Sequence, residues 1–208
     1  MHALSTELFG DSHLLEDFPK SKHIRGLGMS DWRRIAAVLR SKLSYRNTFF
    51  HKYPRFDILN PTPSDYAAYD FVICSEVVEH LTHDVQRAFD NLARILRPNG
   101  FLVFSTPWLM EGSTQEHFPD LWDWKVVELS GRYVLVNRTA AGKLQAFDNL
   151  CFHGGPGQTL EMRILTKPDL ERHFSVAGFR KIEFASEDCA SEYGIVWEPW
   201  SRGIVARL

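Results

Sequence analysis

Residues 69–107 read YDFVICSEVVEHLTHDVQRAFDNLARILRPNGFLVFSTP, and this stretch decides the architecture. Phe71 to Cys74, FVIC, is a short unbroken apolar run, the pattern of a strand covered on both faces of a parallel sheet. Val85, Ala88, Phe89, Leu92, Ile95 and Leu96 then recur at three- and four-residue intervals, so one helical face is apolar, with Thr82 or His83 expected to open the helix. Pro98-Asn99-Gly100 ends it, and Phe101 to Phe104, FLVF, repeats the buried-strand pattern. Strand, helix and strand in this order predict a βαβ unit with a right-handed crossover.

Upstream, His2 to Phe9 is mildly helical and stops at Gly10. His23 to Gly28, HIRGLG, is a strand candidate. Ser30 is placed to cap a helix whose apolar stripe is Trp32, Ile35, Ala36, Leu39 and Leu43. Tyr45 to Phe50 has strand character, and Pro54, Pro61 and Pro63 interrupt the chain before the decisive stretch.

Downstream of Pro107 the rhythm is lost for about sixty residues, longer than a connection needs. This insertion, about 108–165, carries Trp108, Trp122 and Trp124, a hairpin around Tyr133 to Val136 and Leu144 to Phe147, and HGGPG at His153 to Gly157. The rhythm returns with Thr166 as helix cap, Pro168 in the first turn, and Leu170, Phe174 and Ala177 on one face. Gly178 closes that helix, and Phe179 to Ala185 and Gly203 to Leu208 supply two strands. The expected organisation is a single domain over residues 1–208 with an inserted substrate lid.

Composition narrows the partners. With 24 Lys+Arg against 26 Asp+Glu the net charge is -2, so no general positive field draws the chain to duplex nucleic acid or anionic lipid. Cys74, Cys151 and Cys189 show no CxxC spacing, which fits a reducing compartment. No run reaches membrane-spanning length and no signal-peptide pattern opens the chain, so a cytoplasmic address is expected.

Through YDFVICSEVVEHL and LARILRPNGFLVFSTP the chain resembles the class I S-adenosylmethionine-dependent methyltransferases. The resemblance implies a Rossmann-like α/β fold: a doubly wound, mostly parallel sheet with an antiparallel last strand and the cofactor across the carboxyl ends of the strands. It makes HIRGLG the second strand, Tyr45 to Phe50 the third, FVIC the fourth and FLVF the fifth. The family's first strand and glycine-rich loop then have no counterpart, so the chain is expected to be truncated at its amino end and to bind S-adenosylmethionine weakly or not at all.

The cofactor residues implied are Gly26 and Gly28, Asp31, Asp57, Ile58 and Ser75. Asp31 stands near the place of the ribose-binding carboxylate, or is simply a favourable charge at a helix start. Asp57 matches the family's acidic residue after the third strand, where it would accept from the adenine amino group while the next amide, of Ile58, faces the ring. Gly26-Leu27-Gly28 lacks the third glycine of a dinucleotide fingerprint and also reads as a tight turn.

Glu76, Glu79 and His80 follow the FVIC strand, where this fold exposes side chains to the ligand crevice. If the chain is helical there, Glu76 and Glu79 share a face, with His80 one step round. ExxEH is similar to the pattern of metal-assisted O-methyltransferases, which implies a divalent metal on Glu76, Glu79 and His80. The other readings are His80 as general base or a packed histidine. His117 and His153 are further candidate ligands, the tryptophans can stack on a substrate or fill core, and HGGPG can present amides to an anion or form a plain turn. The expected activity is O-methylation of a small molecule or glycan. A metal-dependent RNA 2′-O-methyltransferase is disfavoured by the balanced charge, and a degenerate, non-catalytic binding protein is the reading from another class.

Overall fold

The structure, a computed structural model, describes residues 1–82, 84–185, 197–198 and 200–208. His83 and Cys189 lie outside the described residues. In chain order the first elements are α1 (His2–Phe9), β1 (Ser21–Met29), α2 (Arg33–Lys42), β2 (Leu43–Thr48), β3 (Tyr69–Ser75), α3 (Val85–Ile95) and β4 (Leu96–Ser105). The insertion contributes β5 (Trp108–Leu109), β6 (Gln115–Glu116), β7 (Asp123–Leu129), β8 (Arg132–Arg138), β9 (Leu144–Phe147), β10 (Phe152–His153) and β11 (Thr159–Leu160). β12 (Arg163–Thr166), α4 (Lys167–Ala177), β13 (Lys181–Phe184) and β14 (Ile204–Arg207) complete the chain.

Six strands form the central sheet in the order β13-β14-β4-β3-β1-β2. Strands β4, β3, β1 and β2 are mutually parallel, and at the far end β14 runs antiparallel to its neighbours β4 and β13. β3 shows why the FVIC run is unbroken. Phe71 and Ile73 enter one core with Tyr45, Leu39 and Phe101, while Val72 and Cys74 enter the other with Phe89, Leu92, Phe104 and Phe174. Alternate side chains meet helices on opposite faces, so every position is apolar.

The sheet is continuous at its centre. β1 pairs with β2 on one side and directly with β3 on the other, Gly26 opposite Phe71. HIRGLG therefore holds the central place rather than that of a second strand set apart from β3. Gly26 makes the closure possible: a Cβ there would lie 2.1 Å from Cζ of Phe71. Gly26→Ala is expected to cost about 1–3 kcal/mol by overpacking. Urea denaturation checks this, and an unchanged midpoint would mean that the Phe71 ring moves aside freely.

Several local expectations change. Ser30 is not a helix cap: it has φ 65°, its N–H donates to the Thr48 carbonyl at 2.7 Å, and α2 starts after Trp32 with no side-chain cap bond. The strand expected over Tyr45 to Phe50 is β2, Leu43–Thr48. α3 begins after Asp84, itself in the left-handed region, rather than at Thr82. At α4 the expectations hold: the Thr166 hydroxyl accepts from the Asp169 N–H at 3.3 Å and Gly178 ends the helix at φ 100°. The hairpin also holds, with β8 and β9 antiparallel and Leu135 opposite Phe147. Among the described residues no helix is long and apolar enough to cross a membrane.

Candidate active site

A cavity of about 770 Å³ opens at the carboxyl ends of the parallel strands. Its sheet side is formed by Met29 and Ser30 after β1, Thr48 to His51 after β2, Phe56 to Leu59, and Glu76 and Val77 after β3. Its opposite wall comes from the insertion, chiefly Trp124, Phe152, His153, Leu160 and Met162. The two walls meet at His80 and Leu81.

The residues singled out from the sequence divide into three groups. Asp57, Ile58, Glu76 and His80 line the cavity. Asp57 is held in place because its Oδ1 accepts from the Leu59 N–H and its Oδ2 from Asn60, both at 3.0 Å, leaving lone pairs for a ligand. Gly26, Gly28 and Asp31 are turned to packing. A Cβ at Gly28 would meet the Tyr45 hydroxyl and the Asp31 carboxylate, which bond to each other beneath it. Burial raises the Asp31 carboxyl, opposed by that bond. Ser75 bonds to Ser105 at 2.6 Å and does not line the cavity.

Glu76 and Glu79 do not share a helical face. Glu76 has φ 54° and precedes a single 3₁₀ turn, Val78–His80, so the helical pairing assumed for the two carboxylates does not form. Glu76 accepts from the Ser105 hydroxyl at 2.9 Å. Glu79 is fully buried and its Oε2 accepts from Thr106 at 2.9 Å. Its other oxygen, Oε1, is buried with no hydrogen-bond partner. Two imidazole nitrogens face it, His80 Nε2 at 3.5 Å and His153 Nδ1 at 3.6 Å.

The bonding of the two rings fixes their free nitrogens. A carbonyl can only accept, so His80 Nδ1 carries the proton it donates to Leu160 at 2.8 Å, leaving a lone pair on Nε2. His153 donates from Nε2 to Glu161 at 2.9 Å, leaving a lone pair on Nδ1. Burial lowers the His80 imidazole, which keeps the ring neutral. Burial, with the charge of Glu76 adding to it, pushes the Glu79 carboxyl up to about 8. Three acceptor atoms within 4.8 Å of one another thus surround a point that suits a proton or a cation.

The donor chemistry fits a divalent cation, since each histidine passes its remaining N–H to a carbonyl or carboxylate, the usual support of ligating imidazoles. The set differs from the one expected: His153 takes the place of Glu76. His117, the other histidine of the insertion, bonds Glu161 at 2.8 Å and so stands behind His153. Three further residues carry the assembly without any sequence pattern pointing to them. Glu161 and Arg163 are buried, and Arg163 ties the 3₁₀ turn to the insertion by donating to Glu116 at 2.7 Å and to the Leu81 carbonyl. Thr106 secures Glu79. Of the tryptophans, Trp108 is core, Trp122 is exposed and only Trp124 reaches the cavity. HGGPG forms a turn with Gly154, Gly155 and Gly157 at positive φ.

Residues 11–104 match the family model of the methyltransferase domain. No curated protein sequence matches the chain. Among solved structures, the chain is similar to the CMeT domain of the citrinin polyketide synthase, at 17% identity and TM-score 0.48 over 88% of this chain, and spans 46% of that chain's length. It is similar to the 1,6-didemethyltoxoflavin-N1-methyltransferase of Burkholderia thailandensis, at 14% identity and TM-score 0.51, covering 99% of this chain and 75% of that one. A S-adenosylmethionine-dependent methyltransferase of Clostridium acetobutylicum gives 13% identity and TM-score 0.51, covering 88% of this chain and 83% of the other.

Proposed function

We propose that the chain is a class I S-adenosylmethionine-dependent methyltransferase and that it methylates a hydroxyl oxygen of a small molecule or glycan; the match of residues 11–104 to the methyltransferase domain and the likeness of fold support this reading. The observation that carries this reading is the convergence of His80 and His153, which line the cavity at the strand ends, on the buried carboxylate of Glu79 behind them. S-adenosylmethionine would be held on the sheet side, with apolar Met29, Phe49 and Ile58 and the Asp57 carboxylate suiting an adenine. It supplies an electrophilic methyl group when bound.

The protein's part is alignment and proton removal. His80 Nε2 and His153 Nδ1 are the nitrogens left over by the bonds that orient the two rings, and either would take a hydroxyl proton without changing that bond. In its ionised form Glu79 would face the imidazolium that results, and its carboxylate would stabilise it. A divalent cation held by Glu79, His80 and His153 would be an alternative to this base, since it would occupy the same nitrogens and would lower the pKa of the acceptor hydroxyl instead.

Isothermal titration with S-adenosylhomocysteine tests the premise, and micromolar binding is expected because β1 fills the sheet centre. Release of S-adenosylhomocysteine from S-adenosylmethionine with hydroxyl acceptors, and not with their methyl ethers, tests the chemistry. The metal part has its own test. Manganese or zinc is expected to raise the Tm of the chelator-treated protein and of Glu76→Gln, but not of Glu79→Gln. An equal shift in Glu79→Gln would remove Glu79 from the ligand set.

A further inference from the structure

Resting on the methyltransferase reading above, we propose that the acceptor is an uncharged aromatic hydroxy compound, a phenol, bound between the insertion and the His80–His153 wall. The first argument is charge. Among the described residues lining the cavity there is no lysine or arginine, and the charged side chains there are the acids Asp57 and Glu76. A phosphate, sulfate or carboxylate on the acceptor would enter without a counter-charge, and burying an unpaired anion is strongly unfavourable. Arg163 does not meet this need, because its guanidinium is buried and engaged by Glu116 and by the carbonyls of Val78, Leu81 and Thr82.

The second argument is the surface the insertion presents. Trp124 and Val126 of β7, Phe152 of β10, Leu160 of β11 and Met162 form its part of the wall. Aromatic rings and a thioether favour flat apolar ligands through stacking and sulfur contacts. A sugar would bring several hydroxyls to this wall, where the insertion adds only Gln158, Thr159 and His153 as polar side chains. Hydroxyls left without partners would cost binding. A phenol has one hydroxyl to satisfy, and the imidazole lone pairs of His80 and His153 supply its acceptor.

The step balances without a redox partner. The phenol O–H proton passes to an imidazole nitrogen, the oxygen forms a bond to the methyl carbon, and the methyl–sulfur bond breaks. The products are an aryl methyl ether and S-adenosylhomocysteine.

The experiment is equilibrium binding of 2-naphthol, 2-naphthyl phosphate and methyl glucoside to the full chain saturated with S-adenosylhomocysteine. We expect 2-naphthol to bind at one site, with the phosphate and the glucoside each at least about tenfold weaker. Trp124→Ala should weaken 2-naphthol about tenfold and leave S-adenosylhomocysteine affinity unchanged, with Trp124→Phe restoring most of the loss. Equal or tighter binding of the phosphate or the glucoside would overturn the proposal, as would an unimpaired Trp124→Ala. Failure of S-adenosylhomocysteine itself to bind would instead strike the methyltransferase reading.

Discussion

His80→Asn is expected to lower kcat by about 10²- to 10⁴-fold, the contribution of a general base, while S-adenosylhomocysteine affinity stays unchanged. Asparagine separates the two roles of this histidine. Its side-chain amide can still donate to the Leu160 carbonyl, as Nδ1 does at 2.8 Å, but it offers no basic atom in place of Nε2. Parent-like turnover in His80→Asn, with loss only in His80→Ala, would mean that His80 serves to pin the insertion. His153→Asn is expected to act in the same direction, since it removes the basic ring whose Nδ1 faces the same oxygen of Glu79. The two losses should not add, because both imidazoles work on one proton or one cation. A double variant as active as the product of the two single losses predicts would instead make them independent contributors.

The core of the fold was legible because its signals are local. FVIC, the apolar stripe of α3 and the Asn-Gly turn each lie within a few residues, and β3, α3 and β4 follow from them. Thr166, Pro168 and Gly178 bound α4 by local chemistry alone. The place of β1 was not legible, because it rests on Gly26 making room for Phe71 more than forty residues away. The strand's sequence cannot report which neighbour closes against it.

The candidate site divides in the same way. His80 and Glu79 stand out because they follow a buried strand, and Asp57 because it matches the acidic residue that the resemblance places after the third strand. Spacing misled at Glu76, where a single residue at φ 54° breaks the helical phase that the pairing assumed. The partners that complete the site, His153, Glu161 and Arg163, come from the insertion and meet the 3₁₀ turn only through the tertiary fold. His153 was a candidate only because it falls in the insertion expected to cover the crevice. Glu161 and Arg163 had none, and their burial is what reveals them.

Glu79 makes stability depend on pH in a direction that its environment fixes. Its carboxyl is pushed up to about 8 from an ordinary 4.5, first by burial and then by the charge of Glu76. A raised acid contributes its full stabilisation below the ordinary value and loses it as pH rises through the folded value, because the unfolded chain gives up the proton first. His80 is shifted the other way by burial, and its opposite slope is confined to pH below its ordinary 6.5. Between about pH 6.5 and 8 the unfolding free energy should therefore fall, by at most about 1.4 kcal/mol per pH unit for one proton. Glu79→Gln should be flat across this window in urea denaturation. A divalent cation should reverse the trend in the parent protein, since it binds the ionised carboxylate and neutral imidazoles, so manganese should stabilise more at pH 8 than at 6.5. A flat parent curve without metal would show that Glu79 is ionised throughout, and the orphaned Oε1 would then have to be satisfied by an imidazolium on His80 or His153.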